Sequence, residues 1–166
     1  KERGFSSIAE VDRHWQKTQP DSCYRFTNIA RSTQNWEQYV NGERMWNEFV
    51  FNRLKTATIY GDDNGTLEMV GKLNDSYHEI SIDLVAKGDV ITAVDTQFFR
   101  YPDTTCPDVI NLPQNLVGKN MAELTKKELG LVVGGSCGCP HFVDIMDHIR
   151  RTLGQSRKYE VKAFHV

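Results

Sequence analysis

The stretch Gly134-Gly135-Ser136-Cys137-Gly138-Cys139-Pro140-His141 brings two thiols and an imidazole together on a glycine-rich backbone. Proline favours the first position of a helix, so Pro140 predicts a helix start with Cys139 as its N-cap and His141 in its first turn. Unpaired N–H groups and the macrodipole make that end positive, which favours thiolate, the form that binds metals. Cys106, followed by Pro107, repeats the arrangement, and His78 follows the turn residues Asn74-Asp75-Ser76. His78, Cys106, Cys139 and His141 are therefore the predicted metal ligands. Thiolate and imidazole suit zinc, or alternatively iron, with one position open for chemistry. The spacing matches no standard zinc finger, which would need paired Cys-x2-Cys or His-x3-His elements.

Asp75 and Tyr101, with Tyr77, are candidates for proton transfer, and Arg100 or Arg25 for holding a substrate carboxylate. Blander readings exist for each residue, since a buried cysteine or a satisfied core histidine is common. Cys137 is either an extra ligand or a bystander. His148 reads as part of a solvated helix face, and Cys23, His14 and His165 as structural because they have no grouped partners.

Positioning these residues requires a frame, and the pattern predicts an α+β fold in which C-terminal helices pack on one face of an antiparallel meander. Thr56-Ala57-Thr58-Ile59-Tyr60 is β-branched and aromatic and runs into Gly61-Asp62-Asp63-Asn64-Gly65, a strong hairpin turn. A return strand over 67–73 and a second pair over 77–86 and 90–99, turning at Gly88, complete four strands. Alternation in Ile80-Ser81-Ile82-Asp83-Leu84 marks a sheet with one wet face. Prolines 102, 107 and 113 then announce loops. Asn120 with Glu123 resembles a capping box and predicts a helix over 120–129, and a last helix should run from Pro140 to about Leu153 and stop at Gly154. Residues 1–166 read as one domain: an irregular aromatic-rich part over 1–50, the sheet over 54–100, and the loops and helices carrying the Cys/His site over 101–154. Within the first part, a strand is expected over Cys23–Ile29 and a short helix within Trp36–Phe51.

The chain has 166 residues, 39% hydrophobic and 25% charged, which is ordinary for a globular domain able to bury one core. Its formal charge of −2 is spread along the chain with no basic stripe, arguing against nucleic acid. No apolar run approaches the roughly 20 residues that span a bilayer. A bridge between Cys137 and Cys139 would be strained, so the four cysteines are expected reduced, in a cytoplasmic setting. The aromatic residues of the first fifty offer a homo-oligomer interface, by symmetry most often a dimer.

Gly138-Cys139-Pro140-His141-Phe142 resembles the Gly-Cys-Thr-His-Leu signature of a bacterial domain family of unknown function. The likeness extends to an Arg-x-Pro-x3-Cys segment, here Arg100, Pro102 and Cys106, and to a strand-start Asp and His, here Asp75 and His78. It covers residues 50 to 153 and implies that His78, Cys106, Cys139 and His141 share one site, without implying an activity. Pro140 and Phe142 depart from the signature.

Three functions follow from these residues. The first is a metal-assisted enzyme, a lyase or hydrolase acting on a small organic molecule, since no dinucleotide or phosphate-loop fingerprint is present. The second is a metal-free enzyme with Cys139 as nucleophile and His141 or His78 as base. The third is a non-enzymatic metal or iron–sulfur carrier, or a redox sensor, built on Cys106, Cys137 and Cys139.

Overall fold

In the computed structural model, which describes residues 8–31 and 52–158, four strands form one antiparallel sheet in the order β1-β2-β3-β4. They are β1 (Arg53–Gly61), β2 (Thr66–Asp75), β3 (Glu79–Lys87) and β4 (Val90–Arg100). The expected meander is thus present, with its first turn where the sequence placed it. Asp62 accepts the N–H groups of Asn64 at 3.0 Å and Thr66 at 2.7 Å through one carboxylate oxygen, and Gly65 takes the left-handed φ of 74° that the turn needs.

One face of the sheet is the core. Met69, Leu73, Ile80, Ile82, Leu84 and Ile91 are buried on it and are covered by Phe142, Ile145, Met146, Ile149 and Leu153. These last five belong to the C-terminal helix Pro140–Lys158, and each such burial contributes about 1.5–3 kcal/mol. On the other face Leu54, Tyr60 and Phe99 remain exposed. The C-terminal helix crosses β2 at Gly71, where an added Cβ would lie 2.5 Å from Ile145 and 2.6 Å from Ile149.

Several local expectations need correction. The strand expected over Cys23–Ile29 is a short helix, Tyr24–Thr27, followed by a 3-10 turn, Ile29–Arg31. Among the described residues its β-prone side chains join no strand; the Tyr24 N–H bonds Gly138 O at 2.8 Å, and the Arg31 guanidinium bonds the Tyr24 hydroxyl and Asp108. Asn120 does not start a helix because strand-like pairing to Val90 holds it extended. The helix begins later, over Lys126–Val133, and its capping box is Thr125 with Glu128: the Thr125 hydroxyl accepts the Glu128 N–H, and the Glu128 carboxylate accepts the Thr125 N–H. The last helix runs past Gly154 to Lys158, since a glycine with open space around it weakens a helix without ending it.

Among the described residues, the helices in chain order are α1 (Ile8–Thr18), α2 (Tyr24–Thr27), α3 (Lys126–Val133) and α4 (Pro140–Lys158). The helix expected within 36–51 lies outside the described residues. Among the described residues, no helix is long and apolar enough to cross a membrane.

Candidate metal centre

At one end of the sheet, the close of β2, the turn into β3 and the first turn of α4 meet. Asp75 ends β2, and its buried carboxylate is the hub. One oxygen, Oδ1, accepts the N–H groups of Tyr77 at 2.8 Å and His78 at 2.7 Å and faces His78 Nδ1 at 3.1 Å. The other, Oδ2, accepts Arg53 Nη2 at 2.7 Å and Nε at 3.1 Å. Burial alone would raise its pKa, but the His78 hydrogen bond, the Tyr77 N–H and the Arg53 guanidinium outweigh it and hold the carboxyl well below the usual carboxylate range.

His141 enters from α4, as Pro140 at the helix start foretold. Its ring lies 3.9 Å from that of His78, and its Nε2 is 3.9 Å from Asp75 Oδ2 and 3.1 Å from Arg53 Nη2. Burial, with His78 and Arg53 beside it, pushes the imidazole down to about 3, so it is neutral at physiological pH. An arginine only donates, so Nε2 must accept and Nδ1 carries the proton, directed at Cys139 Sγ 3.5 Å away. Among the described residues, the His/Cys/Asp/Glu group with all its ligand atoms within 4.8 Å of one another is Asp75, His78 and His141. Neutral imidazole and ionised carboxylate are the forms that accept a cation.

The structure distributes the remaining candidates around this centre. Cys139 is the thiol behind His141, its own N–H bonded to Val133 O at 2.8 Å. Cys106 starts the 3-10 turn Cys106–Val109, with Cys139, Asp103 and Cys23 as electrostatic neighbours. Burial pushes both thiols up to about 12. For Cys139 this outweighs the helix-start N–H groups of His141 and Phe142, so in the metal-free chain burial, and not the helix start, decides the form of the thiol. Cys23, read as isolated, lies with them because the Tyr24 N–H bonds Gly138 O and Arg25 pairs with the buried Asp103 at 3.2 Å. Arg100, expected to face substrate, spends its guanidinium on the β2–β3 turn, with Nη2 bonding the Asp75 and His78 carbonyls and the Asn74 side chain. Tyr101 packs edge-on against Phe98.

Arg53 was missed by sequence reasoning, yet a signal for it existed. Counting outward from the Asn64 turn, residue 53 faces residue 75, and that is the observed register.

All four cysteines are free, and Cys137 is exposed. Raising a thiol from about 9 to about 12 cuts its thiolate fraction roughly a thousandfold. Iodoacetamide at pH 8 should therefore modify Cys137 first and leave Cys106 and Cys139 intact until the chain is denatured, as followed by peptide mass mapping. Equal rates at the three sites would refute the buried-thiol assignment.

The fold and this cluster define an α+β domain with a buried His/Asp centre at the sheet end. The chain belongs to the family described as "Protein of unknown function (DUF2889)", whose model matches residues 52–155. No curated protein and no solved structure matches it.

Proposed function

We propose that this chain is a metal-assisted enzyme, a lyase or hydrolase acting on a small organic molecule, with Asp75, His78 and His141 holding the ion. The observation that carries this reading is the convergence of their ligand atoms within 4.8 Å from the end of β2, the turn into β3 and a helix start. Two imidazoles and one carboxylate leave a position open, the pattern of catalytic zinc, and the same donors suit iron(II). A bound ion would polarise a substrate oxygen or activate water.

The chain's own groups supply the orientation. Asp75 Oδ1 fixes the His78 ring through Nδ1, and Cys139 does the same for His141. In this reading Cys139 supports His141 instead of joining the ligands, and the Gly-Cys-x-His segment is the element that presents His141. The metal-free thiol mechanism has less support, because burial keeps Cys139 protonated.

The test is zinc and iron(II) titration of chelator-treated full-length protein by calorimetry, with elemental analysis of protein as purified. One ion per chain is expected, and His141→Ala and His78→Ala should each weaken binding at least tenfold, by about 1.4 kcal/mol or more. A folded wild-type chain that takes up neither metal would end the proposal.

A further inference from the structure

The position of Arg53 is informative for the same site. Its Nη2 touches Asp75 Oδ2 at 2.7 Å and His141 Nε2 at 3.1 Å, while those two atoms are 3.9 Å apart. This geometry puts Nη2 roughly 2 Å from their midpoint, too near for the guanidinium and an ion coordinated by both atoms to occupy the gap together. The guanidinium thus holds the place of a cation between two of the three candidate ligands, and it uses the lone pair of His141 that an ion would need.

Outward from there, several charged side chains meet. Arg53 Nη1 lies 3.9 Å from Asp144 Oδ2, and the same carboxylate faces Lys55 at 3.9 Å and Lys126 at 3.3 Å. All four side chains are partly exposed, between 28% and 57%, so they form the rim of the site. Among the described residues, an Arg53 moved off His141 would stand with Lys55 and Lys126 beside Asp144. Three cationic side chains on an open rim would draw anions toward it, and a guanidinium fork matches an oxyanion through two parallel hydrogen bonds.

We propose that Arg53 and the metal ion are alternative occupants of the His141–Asp75 gap, and that the substrate carries a small oxyanion group, carboxylate or phosphate-like, which takes Arg53 when the ion enters. The inference rests on the metal reading above. It makes metal and anion binding mutually reinforcing, because each favours the state in which Arg53 has left His141.

The experiment measures zinc affinity of the full-length protein in chloride, acetate and sulfate at matched ionic strength. Wild-type protein should bind zinc at least about fivefold more tightly in acetate or in sulfate than in chloride, a coupling at the low end of the usual range. The stronger of the two distinguishes a planar carboxylate from a tetrahedral oxyanion. Arg53→Gln should bind zinc roughly tenfold more tightly than wild type in chloride and lose the response to anions. If Arg53→Gln does not fold without zinc, Arg53→Lys carries the comparison, since one ammonium cannot reproduce the guanidinium's fork, and it should fall between the two. Wild-type zinc binding that ignores both anions, with no gain in either variant, overturns this inference and leaves the metal reading standing. Absence of zinc binding by folded wild type and variants alike overturns both.

Discussion

Replacing Asp75 with alanine is expected to lower the melting temperature of the metal-free protein at pH 7 by roughly 6–20 °C, corresponding to about 3–5 kcal/mol. The carboxylate is buried and accepts from the N–H groups of Tyr77 and His78 and from two nitrogens of Arg53. Removing it takes a buried acceptor from these donors and the nearest carboxylate from Arg53. Circular dichroism melts would measure the loss, and a drop below about 2 °C would mean that the hub does not tie β1, β2 and the turn together. A pH dependence accompanies it. The folded carboxyl titrates below its unfolded value of about 3.9, so its contribution is complete well above pH 4 and declines as the pH falls below that value toward the folded one. The stability gap between wild type and Asp75→Asn should accordingly be constant from pH 7 to about 5 and narrow below about 4.

Gly138→Ala should be nearly as damaging, at about 2–3 kcal/mol. With φ of −139° the residue is in ordinary extended backbone, so conformation does not demand glycine there. Space does: an added Cβ would lie 2.3 Å from Val133 O and 2.6 Å from Gly134 O, backbone atoms that cannot swing aside. Any relief must displace the loop that carries Cys139 and receives the Tyr24 N–H. The readouts are a lowered melting temperature and faster alkylation of Cys139. Gly154→Ala is the contrasting control: nothing lies within 4 Å of its Cβ position inside α4, and it should stabilise by about 0.5–1 kcal/mol. A Gly138→Ala protein as stable as wild type would contradict the steric account.

The contrast between these residues explains how far the sequence could be read. The meander was legible because strand pattern and turn chemistry agree: Asp62 to Gly65 closes the β1–β2 hairpin, and alternate residues on β2 and β3 enter the core. Pro140 likewise announced α4 and carried His141 to its first turn. Other elements are decided by distant partners. Tyr24 to Thr27 has strand-forming residues, but its contacts with Gly138 and Asp108 through neighbouring groups favour a helix. Asn120 and Glu123 do hydrogen-bond, but side chain to side chain at 3.0 Å instead of through the backbone N–H groups of a capping box, and pairing with Val90 denies them a helix.

Within the candidate site, His78, His141 and Asp75 were recognisable as chemically able residues, while Arg53 was invisible until the hairpin register placed it across from Asp75. The thiols show the opposite limit. A helix start favours thiolate, but how deeply Cys139 is buried depends on the packing of the whole loop, and burial wins.

Gly71 lies four residues before Asp75 on β2, while Ile145 and Ile149 follow His141 by four and eight residues on α4. The strand that presents the carboxylate and the helix that presents the imidazole therefore rest on each other where β2 has only a hydrogen atom for a side chain. The missing methyl sets the clearance between the two layers, and it calibrates the spacing of two side chains that do not touch it. A wedge as small as one carbon at Gly71 would tilt α4 about this fulcrum and retune the gap between His141 and Asp75 while leaving both residues chemically unchanged.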